Sequence, residues 1–211
     1  FAYGGTPTDV SMSNLVNSSG VVATDTTGVG TARESLAAAG YGLDKAIFGY
    51  GTTGSRVSLT NLVNNSGVVA SDVTGVGQAR DGLAATGYGL DKAIFAYGYE
   101  SGAGGYLSMS NLVSNVGVVA TDVSGVGTAR AYLAAVRYGA QTAIFAYGDT
   151  TSLTALSNLV SSSGVIAADV SGVGTARSVP AAARYGGDKA IFGFGHAGGK
   201  TGVTNLVNSS G

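Results

Sequence analysis

Cysteine and tryptophan are absent from this 211-residue chain, histidine occurs once, proline twice, and charged residues make up only 11%. Each shortage removes something. Without cysteine there are no disulfides and no thiolate metal sites, and the redox compartment leaves no mark on the sequence. His196 is the single histidine, so no second imidazole is present to complete a metal site, and a serine nucleophile has no other obvious base. A formal net charge of −1 disfavours a surface built to neutralise nucleic-acid phosphates. No apolar run approaches the roughly 18–20 residues that a membrane-crossing helix needs, and no signal peptide is visible. The text begins at Phe1, without an initiator methionine and in the middle of a repeated unit, so it reads as a segment of a longer polypeptide.

What is abundant is glycine, at 36 residues, beside a hydrophobic fraction of 45% that is ordinary for a globular protein. That pairing suggests many short strands joined by tight turns. The chain also copies itself. The phenylalanine of "AIF" recurs at Phe48, Phe95, Phe145 and Phe192, with Phe1 as a truncated first copy, at spacings of 47, 47, 50 and 47. The asparagine of "NLV" recurs at Asn14, Asn61, Asn111, Asn158 and Asn205. From each asparagine to the next phenylalanine the distance is always 34 residues, whereas phenylalanine to asparagine is 13 in four copies and 16 between Phe95 and Asn111. All length variation therefore sits in one loop. One repeat domain spans 1–211, divided at about 1–47, 48–94, 95–144, 145–191 and a half repeat 192–211. There are five "AIF…NLV" halves and four "GVVATDxxGVGTAR" halves, so a closed ring would need the missing half from unseen sequence or another chain.

Within one unit, Ala46–Gly51 is a short apolar run ended by glycine, as expected of a buried strand. Residues 59–63 and 67–70 supply two more strands, and "Asp72 Val73 Thr74 Gly75" reads as a turn in which the aspartate bonds its own backbone. The stretch 79–85 suits helix or strand by propensity. Pro180 replaces its leucine in the last copy, which a continuing helix would not tolerate, so strand is preferred. Leu83–Ala85 then pairs with Ala93–Phe95 across a glycine-rich hairpin turn. Four short strands per 47 residues is the period of a propeller blade. The expected fold is all-β, a propeller of five blades with one incomplete; a β-rich repeat solenoid is the alternative.

The order "AR…LAA…YGLDKAIFGYG…SLTNLV…GVVA" resembles a kelch repeat: arginine, apolar strand, short turn, glycine-ended strand, variable loop, outer strands. The glycines that kelch repeats place side by side are split here, as Gly49-Tyr50-Gly51, and the kelch tryptophan is missing. Near-identical, low-charge, glycine-rich arrays of this kind also resemble repeat regions of bacteriophage tail and virion proteins.

No catalytic set emerges. "TGVGTAR" holds a GxG, but it occurs in four copies and no helix follows to present its N-terminus to a phosphate. Asp25, Asp72, Asp122 and Asp169 are equivalent, as are Arg33, Arg80, Arg130 and Arg177. Calcium needs six or more oxygens where each repeat offers one isolated carboxylate. The reading preferred is that each aspartate fixes a turn and each arginine ties strands or neighbouring blades, with an arginine ring capturing an anion in a central channel as the alternative. Asp-Lys pairs at 44/45, 91/92 and 188/189 read as solvated turn residues, replaced by Gln141-Thr142 in one copy. Glu34 and Glu100, the two glutamates, fall at unrelated places in the unit. Asn17, Asn64 and Asn208 match glycosylation sequons. No metal and no cofactor is expected.

The loops between "AIFxYG" and "NLV" differ in every copy. They carry Asp9, Arg56, Tyr99, Glu100, Tyr106, Asp149, His196 and Lys200, most of the non-periodic charged and aromatic residues. In a propeller such loops emerge on one face, an arrangement suited to recognition on a rigid scaffold, although drift of unconstrained loops gives the same pattern. The expectation is a non-enzymatic module, extracellular or on a virion surface. It would bind a cell-surface glycan or protein through these loops, without nucleic acid or membrane insertion. A structural spacer or assembly element of a fibre or tail is the alternative.

Overall fold

The computed structural model describes residues 1–102 and 105–211; Ala103 and Gly104, in the long loop, lie outside the described residues. It is all-β. Fourteen strands form five small antiparallel sheets, with no helix among the described residues. The first sheet pairs β1 (Ala2–Gly5) with β2 (Asp9–Ser13). Three-stranded sheets follow: β3 (Ala37–Tyr41), β4 (Lys45–Gly49) and β5 (Thr60–Val63); then β6 (Ala84–Tyr88), β7 (Lys92–Tyr99) and β8 (Tyr106–Val113). The fourth holds β9 (Ala134–Tyr138), β10 (Thr142–Ala146) and β11 (Ser157–Val160), and the last β12 (Ala181–Tyr185), β13 (Lys189–Gly193) and β14 (Thr204–Val207). In each three-stranded sheet the "AIF" strand is central.

The unit contains three strands and a weaker fourth segment. The outer segment touches the last strand of its sheet and its continuation at two isolated bridges, Val63↔Val69 within "GVVA" and Thr60↔Val73 just after it in the second sheet, and equivalently in the first, third and fourth. The ambiguous alanine-rich segment is strand, and Pro180 stands immediately before β12, where a missing N–H breaks no ladder bond. The hairpin reaches further than expected, to Tyr88↔Lys92, leaving residues 89–91 as the turn. Gly42, Gly89, Gly139 and Gly186 take φ values of 55–59° there, a left-handed conformation that glycine adopts without penalty.

The sheets stack in sequence order. The first strand of each three-stranded sheet packs on that of the next, β3 on β6, β6 on β9 and β9 on β12. Between successive sheets lie three apolar clusters centred on Ile47, Tyr50 and Phe95; on Ile94, Tyr97 and Phe145; and on Ile144, Tyr147 and Phe192. Each buried phenylalanine contributes about 1.5–3 kcal/mol, so the period of the sequence is the period of the core. In every three-stranded sheet one end carries the hairpin turn and the other carries the variable loop.

Candidate functional site

At the loop end a repeated polar lock sets the frame. Arg33, Arg80, Arg130 and Arg177 are all fully buried. In the second sheet Arg33 Nε donates to Tyr50 O (2.9 Å), Nη1 to Thr31 O (3.0 Å) and Nη2 to Asn61 Oδ1 (2.6 Å). Asn61 Nδ2 donates in turn to Ala70 O (3.0 Å) and Asp72 Oδ1 (2.8 Å). Asp72 also accepts the backbone N–H and hydroxyl of Thr31, at 3.0 and 2.6 Å. The aspartate thus fastens the outer segment to a connector 41 residues earlier in the chain, which corrects the expectation that it bonds its own turn. Burial pushes the Asp72 carboxyl up, but bonds from Thr31 and Asn61 and the charge of Arg33 outweigh it and leave the pKa below the ordinary value; Asp169 behaves alike. The second glycine of "GVG" belongs to this lock: a Cβ on Gly77 would meet Asp122 Oδ1 at 2.2 Å, and its φ is +78°.

The same arginines join neighbouring sheets. Arg33, Arg80, Arg130 and Arg177 lie over the rings of Tyr3, Tyr50, Tyr97 and Tyr147 of the preceding sheet, 4.4, 4.2, 4.1 and 3.7 Å from the centroids. Those rings stand edge-on to Phe48, Phe95, Phe145 and Phe192. In Arg33 and Arg130 each of the three guanidinium nitrogens donates within the lock. Two copies are imperfect among the described residues: Arg80 Nε has no partner, in the one repeat whose loop is longer, and in the last copy Arg177 Nε, Arg177 Nη2 and Asn205 Oδ1 have none.

On this frame the variable loops are tied to the two residues after each arginine. Bridges Glu34↔Thr52, Asp81↔Tyr99, Ala131↔Asp149 and Ser178↔His196 repeat in all four copies. Ser35, Gly82, Tyr132 and Val179 come next, each with φ of 51–58°, and form a ladder from unit to unit: Gly82 N donates to Ser35 O, Tyr132 N to Gly82 O and Val179 N to Tyr132 O.

The long loop extends its strands, so that Gly98 pairs Leu107 and Tyr99 pairs Tyr106 beyond a register shift. Around that extension residues of three consecutive repeats meet. The Tyr99 and Tyr106 rings make an edge contact at 5.2 Å. Arg56 lies over Tyr99, 4.8 Å from its centroid, and its Nε bonds Asp81 Oδ1 at 3.1 Å. Tyr106 Oη donates to Asp149 Oδ1 (3.2 Å). Gln78 Nε2 donates to Glu100 Oε2 (3.0 Å) beside them. The half-exposed Tyr132 ring covers Gly82, where a Cβ would stand 2.9 Å from it. Burial, with the carboxylates of Asp81 and Asp149 near it, raises the Tyr132 phenol above its ordinary pKa. Of the loop residues expected from sequence, Arg56, Tyr99, Glu100, Tyr106 and Asp149 gather here. Asp9 is half-buried in the first sheet beside Asp25, and His196 and Lys200 bridge each other, exposed, in the last unit. Asp81 and Tyr132 escaped sequence reasoning. Their signal was available: the pair after each arginine reads Glu-Ser, Asp-Gly, Ala-Tyr and Ser-Val, as variable as the loops.

No protein-family model matches the chain, and no curated protein does. Solved structures do match. That of YjhT superposes with a TM-score of 0.59 at 12% identity, over 78% of this chain, which spans 58% of the YjhT chain. Such a likeness speaks for architecture alone.

Proposed function

We propose that the chain is a kelch-like β-propeller segment working as a non-enzymatic binding module, recognising a cell-surface glycan from the outside of a virion or cell. The observation that carries this reading is the cluster of Arg56, Asp81, Tyr99, Tyr106, Tyr132 and Asp149, drawn from three repeats onto one rigid end of the sheets. Half-exposed tyrosine faces offer a platform to the apolar side of a sugar ring, while neighbouring carboxylates and a guanidinium accept and donate to its hydroxyls. The loops vary in sequence, whereas the lock beneath them is repeated, which suits recognition on a constant scaffold. The propeller reading is supported by sequential packing of the first strands and by a repeated length of about one blade.

A second reading rests on a different observation. The first valine of each "GVVA" segment, at Val21, Val68, Val118 and Val165, is 60–64% exposed along the outer edge of its sheet. A row of exposed apolar side chains along successive sheets suits lateral assembly in a fibre or tail. Glycan-array binding separates the two. The wild type is expected to bind a defined glycan set. Replacing residues 99–108 by the seven-residue stretch of the short copy is expected to abolish that binding while leaving the circular dichroism unchanged. Unaltered binding by the shortened loop would sink the assignment. Filament formation that stops when the four valines become threonine would favour the assembly reading.

A further inference from the structure

The sheet ends away from the variable loops hold a second polar feature. Arg137 on β9 and Arg184 on β12 occupy one strand position, filled by Gly40 on β3 and Gly87 on β6. Arg137 lies across the glycine of the preceding sheet: a Cβ on Gly87 would stand 3.0 Å from Arg137 Cδ. Its Nη2 donates to Gly89 O (2.9 Å) and Ala140 O (3.1 Å), while its Nε is buried with no hydrogen-bond partner among the described residues. Arg184 takes the same pose one sheet on, bonding Gly139 O (3.1 Å) and Gly187 O.

Charge accumulates here. Lys45 and Lys92 are paired with Asp44 and Asp91 at 2.6 and 3.3 Å, but the turn between β9 and β10 carries Gln141-Thr142 in place of that pair. The carboxylates of the two neighbouring turns, Asp91 and Asp188, face lysines instead, Lys92 at 3.3 Å and Lys189 at 3.9 Å. Neither arginine forms an ion pair among the described residues. Burial, and then the like charge of Arg184, lower the Arg137 pKa. Beside Arg137 a cavity of about 230 Å³ reaches across three sheets, lined by Gly40, Tyr41, Leu43, Gly87 and Leu90. Leu43 and Leu90 are 84% and 61% exposed at its mouth.

From this geometry we infer that the cavity is a site for a small organic carboxylate, its oxyanion held by the Arg137 guanidinium that lines it, in the field of Arg184, and its apolar body against Leu43 and Leu90. A guanidinium binds carboxylates through short charge-assisted bonds, Arg137 lines the cavity with no carboxylate partner among the described residues, and the two glycines leave room that side chains would fill. The site is separate from the loop cluster, and neither its success nor its failure bears on glycan binding.

The probes are benzoate, acetate and inorganic sulfate, titrated by calorimetry and by the Nε–H resonances of isotopically labelled protein. Benzoate is expected to shift the Arg137 Nε–H saturably and to bind more tightly than acetate. Its Kd should rise about tenfold or more in Arg137→Gln, the loss of one charge-assisted bond, and less in Arg184→Gln. In Leu43→Ser/Leu90→Ser, two largely exposed changes that leave the core alone, benzoate should fall to the level of acetate. Absence of a saturable shift, or an unchanged Kd in Arg137→Gln, overturns the site. Should that variant not fold, benzoate still preferred over acetate in the double serine variant overturns it equally. Sulfate binding as tightly as benzoate points to a bare-anion site and refutes the organic carboxylate.

Discussion

Replacing Arg130 by methionine keeps most of the side chain's apolar volume and deletes its guanidinium. The bonds to Tyr147 O (3.0 Å), Thr128 O (3.1 Å) and Asn158 Oδ1 (2.6 Å) disappear, as does the stack on Tyr97 at 4.1 Å. Asn158 is left with a buried acceptor and no donor, a penalty of about 1–3 kcal/mol. The desolvated stack adds about 2 kcal/mol. Against this, the variant no longer has to strip water from a charge whose nearest carboxylate, Asp169, is 3.8 Å away. Removing one partner of a buried pair has a net cost of about 3–5 kcal/mol, and that is the loss expected. Arg80 provides the internal control. It stacks on Tyr50 at 4.2 Å and bonds Gln78 O and Asn111 Oδ1, yet its Nε has no partner among the described residues. Arg80→Met should therefore cost about 1 kcal/mol less, the net worth of one hydrogen bond. Urea unfolding followed by far-UV circular dichroism measures both, provided the slopes agree. If Arg80→Met costs as much as Arg130→Met, or if Arg130→Met lies within 1 kcal/mol of the wild type, the lock is not what holds successive sheets together.

Two further outcomes follow from the frame. Burial pushes the phenols of Tyr50 and Tyr97 up to about 12. The folded protein keeps these protons where the unfolded chain, with a phenol pKa near 10, has lost them, so stability present below pH 10 drains away as pH rises towards 12. Each tyrosine accounts for up to about 2.7 kcal/mol; a melting temperature flat from pH 10 to 11.5 contradicts this, and Tyr97→Phe should flatten the alkaline limb. Val179 holds φ at +51°, directly before a proline and 67% exposed. A β-branched residue is strained in that conformation, so Val179→Gly should raise the urea midpoint by about 0.5–1 kcal/mol equivalent, and a lowered midpoint refutes the strain.

Much of the frame was legible because repetition multiplies each signal. Four copies of "AIF" fix the central strands, and a single proline at 180 decided between strand and helix for the segment before them. The role of the aspartates was misread for a physical reason. A turn bond is local and follows from residue type, whereas Asp72 finds Thr31 only because the outer segment folds back beside a connector 41 residues away. The same limit hid the tyrosine platform. Tyr132 sits outside the variable loop in sequence and joins it only through the Ala131↔Asp149 bridge and the left-handed ladder, neither of which local composition encodes. Arg137 and Arg184 were illegible as a pair because strand stacking, not sequence distance, makes them neighbours.

The tyrosine that closes each of the first four units is gripped by an arginine and a phenylalanine that belong to the following unit. Every copy added to such an array therefore brings the fastening for the one before it and leaves its own aromatic ring, Phe194 in the last unit, to receive another. Growth by duplication needs no newly invented interface, and the energetic consequence of a change stays with its two neighbours. That tolerance lets one repeat lengthen its loop by three residues, as between Phe95 and Asn111, while the sheets on either side keep their register.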